Sequence, residues 1–197
     1  VADAAPSFKA GLYPATIHGS SAKGTEAITT EGGKVECAVS YHAELKEAST
    51  TLTLGPTYSG CEAFGFIGIP VSAEGCAYLL HVSGQSAEDK YKATFDVSCP
   101  AGKSIKIEAG SCKVEIKAQS GLASVAITDD TEATPKRDIT FDPEVANLAY
   151  TVTQDGFLCP FNGTGSKTGG TFTASSPTTL TGQSPSNPET KIGVEVG

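Results

Sequence analysis

The chain has 197 residues, 39% of them hydrophobic, which is enough for one substantial core. Its formal net charge is −8, from 14 Lys and Arg against 22 Asp and Glu, and such a surface repels a phosphate backbone, so no nucleic-acid partner is expected. No apolar run approaches the roughly 18 residues of a membrane span. The chain starts at Val1 with no methionine anywhere, so the initiator methionine is expected to be removed or never part of it, and together with the six cysteines this is read as an exported protein whose signal peptide has been removed.

In chain order, VADAAPSFKAGLY comes first, with Ala2, Ala4, Pro6, Phe8, Ala10 and Leu12 on one side of a two-residue alternation. That is a strand's period. Residues 1–12 are taken as an amino-terminal extension and residues 13–197 as a single β-rich domain. Two roles are open to the extension. It pairs within its own sheet, or it adds to the edge of a neighbouring subunit, with Phe8 and Leu12 filling the groove, and builds a head-to-tail homopolymer.

Strand-like runs follow: LYPATIH, EAIT, KVECAVSYHAEL, TLTL, GIPVSAE, AYLLHVSG and YKATFDVSC, separated by Gly, Pro and Ser clusters. His18, His42 and His81 are scattered among them and are expected to be solvated or hydrogen-bonded structural residues rather than ligands. Tyr58, Phe64 and Phe66 are the best candidates for an exposed aromatic cluster, although core positions are expected for the two phenylalanines.

Residues 98–118 read SCPAGKSIKIEAGSCKVEIKA, and the Gly-Lys-Ser within them raises the question of a phosphate-binding loop. Such a loop needs a glycine at the position held by Val97 and a helix after the lysine. Here Ser104-Ile105-Lys106-Ile107-Glu108 alternates instead, and so does Cys112-Lys113-Val114-Glu115-Ile116. A β-excursion is predicted, with Ile105, Ile107, Val114 and Ile116 facing inward, and no nucleotide is expected.

Further on lie SVAIT, RDITF, LAYTVT, TFTAS and KIGVEV, for a total of about fourteen short strands. The stretches 129–138 and 175–189 are expected to be irregular, and GTGSKTGG at 163–170 to be a flexible turn. The acidic residues Asp129, Asp130, Glu132, Asp138 and Asp142 raise the possibility of calcium, but their spacing does not match a calcium loop and a solvated acidic loop is expected. Asn162-Gly163-Thr164 is formally a glycosylation acceptor. No nucleophile elbow occurs, and the chain has no tryptophan for a sugar-stacking cleft. No catalytic residue, metal or cofactor is therefore assigned.

The fold class expected is all-β, a disulfide-stapled antiparallel β-sandwich or barrel of many short strands. The cysteines number six, Cys37, Cys61, Cys76, Cys99, Cys112 and Cys159. None are spaced as zinc ligands, and an even count points to disulfides in an oxidising, extracellular compartment. Pairing the ends of short excursions gives 61–76 and 99–112 and leaves 37–159.

The runs at 48–66 (ASTTLTLGPTYSGCEAFGF), 99–107 (CPAGKSIKI) and 150–165 (YTVTQDGFLCPFNGTG) resemble a family of uncharacterised secreted, cysteine-containing proteins of Solirubrobacter-like soil actinobacteria. The resemblance implies export and similarly spaced cysteines, and it implies no activity. A non-enzymatic secreted structural or cell-surface protein is expected first, assembling into a filament by strand addition. An extracellular ligand-binding or adhesive module comes second and a secreted hydrolase third.

Overall fold

A computed structural model describes residues 5–131, 137–154 and 163–197. The strands are β1 (Phe8–Ala10), β2 (Ala15–Ser20), β3 (Glu26–Thr30), β4 (Gly33–Leu45), β5 (Thr51–Ala63), β6 (Ile67–Gly68), β7 (Val71–Ser72), β8 (Ala77–Ala87) and β9 (Lys90–Ser98). They continue as β10 (Ile105–Ala109), β11 (Cys112–Ile116), β12 (Gln119–Asp130), β13 (Asp138–Gln154), β14 (Gly165–Ala174), β15 (Thr178–Ser184), β16 (Asn187–Lys191) and β17 (Val194–Val196). Among the described residues there is no helix, and all pairings are antiparallel. The all-β, disulfide-bonded class is the one the alternation predicts.

The alternation places the core. On β4, Val35, Cys37, Val39, Tyr41, Ala43 and Leu45 are buried, while Lys34, Ser40, His42 and Glu44 face water. On β9, Tyr91, Ala93, Phe95 and Val97 do the same. The aromatic residues meet at the centre, where Tyr78 lies 4.7 Å from Phe95 and 5.4 Å from Phe172 between ring centroids, and Tyr41 meets Phe141 edge-on at 5.4 Å. Burying each phenylalanine contributes about 1.5–3 kcal/mol.

Long strands switch partners partway along, and this closes the sheet. One hydrogen-bonded circuit runs β15, β2, β4, β5, β8, β9, β12, β13 and back to β15. A second takes the other halves of β4 and β13, joining β3 to β4 and β14 to both β3 and β13. The β10–β11 hairpin extends that side by pairing with β13 and β7. A closed sheet leaves few open edges. Gly19 permits the closure of the first circuit, because a Cβ there would lie 2.5 Å from the Thr179 carbonyl oxygen.

The predicted β-excursion at 98–118 is present. Ile105 pairs with Ile116 and Ile107 with Val114, and all four are buried. Its disulfide is different from the one expected. Cys37 is bonded to Cys61 and Cys76 to Cys99, which replaces the 61–76, 99–112 and 37–159 scheme. Both bridges link directly paired neighbours. Glu36 stands opposite Glu62 with a bulge beside Cys37, and Ala77 stands opposite Ser98, so the next residues outward are Cys76 and Cys99. Cys112 is also disulfide-bonded, and Cys159 lies outside the described residues.

Two stretches expected to lack regular structure are strands. Residues 165–174 form β14, with Thr151 opposite Ser166 and Val145 opposite Phe172. Within 175–189, β15 buries Thr178, Leu180, Gly182 and Ser184 in alternation, a period obscured by the polar composition. The amino-terminal strand takes the intramolecular one of its two possible places. Phe8 pairs with Val196 of β17 and is fully buried, while Leu12 is 56% exposed. Reciprocal bonds between Ser7 and Gly197 continue this two-stranded ladder, and reciprocal bonds between Phe8 and Ser49 fasten it to the segment between β4 and β5.

Candidate functional site

The β4–β5 ladder ends at the pair His42–Gly55. Beyond it the two strands diverge, because Ala43, Glu44 and Leu45 continue along β2 while Thr51 to Leu54 pair with β8. The divergence opens a wedge of about 540 Å³, lined by His42, Glu44, Lys46, Glu47, Ser49, Thr51, Thr53 and Gly55 among others. Each wall is a strand whose other edge is already paired. The lining is rich in hydroxyls and charge.

Two polar arrangements flank the wedge. On the β4 side, His18 of β2 stands directly opposite His42, with Nδ1 atoms 3.4 Å apart and ring centroids 4.8 Å apart. Burial, and then the neighbouring His42 ring, hold the His18 imidazole below its ordinary value. On the β5 side, Thr51 Oγ1 lies 2.8 Å from His81 Nδ1, and His81 Nε2 lies 2.9 Å from Asp96 Oδ2. The Gly121 N–H donates to the other Asp96 oxygen at 2.7 Å. With Nε2–H donating to Asp96, His81 Nδ1 accepts from the Thr51 hydroxyl. The order is hydroxyl, imidazole, carboxylate. The Thr51 N–H donates to Ser49 Oγ at 3.1 Å.

A third cluster lies inside. Glu26 opens β3 at the seam where β2 and β3 succeed one another along β4, and it is only 1% exposed. The Tyr41 hydroxyl donates to one of its oxygens and the Thr178 hydroxyl to the other, at 3.2 Å in the second case. Burial raises the Glu26 pKa, and the hydrogen bonds from Tyr41, Ser21 and Thr178 only partly oppose that. Beside it the Tyr58 and Tyr78 hydroxyls bond to each other, and desolvation pushes both phenols upward. The neighbouring interior space, about 10 Å³ between Ile28, Tyr78, Phe95 and Phe172, has no room for a ligand. The cluster joins the barrel's seams and does no visible chemistry.

The remaining sequence candidates are dispersed. Phe64 and Phe66, expected in the core, lie in the turn after β5 at 49% and 77% exposure, because the chain reverses there through positive-φ Phe64 and Gly65. They are nine and eleven residues beyond Gly55, on the order of 30 Å along an extended strand, and so stand apart from the wedge. Tyr58 is part-buried against Tyr78. The acidic residues hold the chain's last strands in place. Asp129 accepts the Val196 N–H at 2.9 Å and Asp138 accepts Lys191 Nζ at 2.7 Å. Desolvation raises Asp129 to about 6. Glu132 and Asn162 lie outside the described residues.

The wedge and the Glu26 cluster were not read from the sequence. Ile28 carries a usable signal for the second, since it shares a strand face with Glu26 two residues earlier and is itself apolar. The wedge depends on where a ladder ends, which no local pattern encodes. Comparison with protein-family models, curated proteins and solved structures returned no match.

Proposed function

We propose that this chain is a secreted, non-enzymatic binding module that takes an extended polypeptide segment as an added strand in the wedge between β4 and β5. The observation that carries the reading is the early end of the β4–β5 ladder at His42–Gly55, which leaves two facing strand walls around a space of about 540 Å³. Extended peptides bind such edges through main-chain hydrogen bonds, with side chains in alternate pockets setting preference. The disulfides fit an oxidising compartment, and the resemblance to secreted actinobacterial proteins supports export.

Strand addition was also the basis for expecting a homopolymer. Phe8 is committed to its own chain, so the donor in this reading comes from another protein and the wedge is the acceptor. Panning a library of random extended peptides on the wild-type protein tests it. Recovered peptides should bind saturably at one site, and Thr53→Trp, an exposed wall position with a strand-compatible side chain, should abolish binding without lowering the melting temperature. Peptides that bind the Thr53→Trp variant as well as the wild type would rule out the wedge.

A further inference from the structure

We propose that His18 and His42 form a two-imidazole site for a divalent transition metal of the Cu²⁺ or Zn²⁺ type on the outer face of the barrel. The rings are directly opposed across β2 and β4, both are exposed, and their Nδ1 atoms are 3.4 Å apart. Metal–nitrogen bonds of about 2.0–2.1 Å at a tetrahedral angle hold two nitrogens about 3.3–3.4 Å apart. The separation therefore matches the bite of one ion. Two neutral rings this close set an N–H against a lone pair or oppose two lone pairs, and a cation between the lone pairs converts the opposed arrangement into a chelate.

The backbone under both rings is held on both sides. His18 pairs with Thr181 of β15 as well as with His42, and His42 pairs with Gly55 of β5 as well as with His18. Little ordering remains to be done when an ion arrives. Gly55 also has no side chain to cover the His42 ring. A metal requires deprotonated imidazole. Among the described residues no three His, Cys, Asp or Glu side chains converge on one point. The protein thus supplies two ligands, and water or a donor from a bound molecule completes the shell. His81 is engaged by Asp96 and Thr51 and takes no part.

The site shares His42 with the wedge lining, so ion binding is tested in the absence of peptide. Untagged wild-type protein is titrated in a calorimeter with CuCl₂ and, in a second experiment, with ZnCl₂. One saturable site per chain is expected, with Cu²⁺ tighter than Zn²⁺. His18→Ala and His42→Ala should each weaken Cu²⁺ at least tenfold, and His81→Ala should leave it within about twofold. His18→Gln keeps a polar, hydrogen-bonding side chain while removing the ligand, so it must lose binding too with an unchanged melting curve. Electron paramagnetic resonance of the Cu²⁺-loaded protein should show coupling to two imidazole nitrogens. Absence of saturable binding, or binding that survives the His18→Ala/His42→Ala double substitution, overturns the proposal.

Discussion

Tyr41 and His42 are consecutive residues of β4, and the two polar clusters they anchor are built on opposite principles. Inside, the Tyr41 hydroxyl and the Thr178 hydroxyl each meet an oxygen of Glu26, so both carboxyl oxygens have donors and the group rests away from water. Outside, His42 meets another imidazole at 3.4 Å, and both rings are exposed. An inward polar group must be satisfied by the fold itself, because leaving it unpaired costs about 1–3 kcal/mol or more. An outward one is free to wait for a ligand. Function on this barrel is therefore to be sought on the outer face, and stability on the inner one.

The widest gap between the two faces should come from Glu26→Ala. Near pH 5 it leaves the Tyr41 and Thr178 hydroxyls without an acceptor and opens a cavity, for an expected loss of about 3–5 kcal/mol, or roughly 6–20 °C in melting temperature at this chain length. Differential scanning calorimetry measures it. Removing the inner-face bridge with Cys37→Ala/Cys61→Ala should cost about 3.5 kcal/mol in the chain-entropy model. Urea unfolding gives that number, and peptide mapping without reductant should recover Cys37 linked to Cys61 and Cys76 linked to Cys99.

A third comparison uses pH. Glu26 and Asp129 hold their protons more tightly in the folded chain than in the unfolded one, so their contribution to stability falls as pH rises, from the ordinary carboxyl value to the folded one. For Asp129 the window runs from 3.8 to about 6. Asp129→Asn, which keeps an acceptor for the Val196 N–H, should raise stability at pH 7 by about 1–2 kcal/mol after allowance for screening and leave it nearly unchanged at pH 3.5. Glu26→Gln should act in the same direction. His18 has the opposite sign. Its lowered pKa means that stability is lost as pH falls below 6.5 toward the folded value. The smallest effects should be His42→Ala and Phe66→Ser, each within about 0.5 kcal/mol of wild type by thermal melting. A larger loss at His42 would mean that the outer pair also carries structure.

What could be read beforehand divides along the same line. Ile105, Ile107, Val114 and Ile116 announce their burial through a period of two, and the all-β class follows from many such runs. Cysteine pairing depends on which strands become neighbours and where a bulge shifts the register. Local alternation leaves both undetermined, and pairing by short excursions therefore leaves Cys37 to Cys159 where the fold joins it to Cys61. The Lys and Thr residues of GTGSKTGG hid a strand, because its partner β13 supplies the apolar side chains. Glu26 reads as an outward charge until Ile28 on the same face is taken as buried. The opposition of His18 and His42 is a fact of register between β2 and β4, beyond the reach of either stretch alone.

The first circuit is closed where Gly19 meets Leu180, residues from nearly opposite ends of the chain. That separation governs the order of events during folding. Nothing shorter than almost the whole polypeptide can complete the barrel, and the entropy of closing so long a loop must be met before its contacts contribute. Because β4 and β13 each lend rungs to both circuits, neither circuit is a unit that survives without the other. Folding should accordingly be slow, with the last-made strands deciding whether the first-made ones stay.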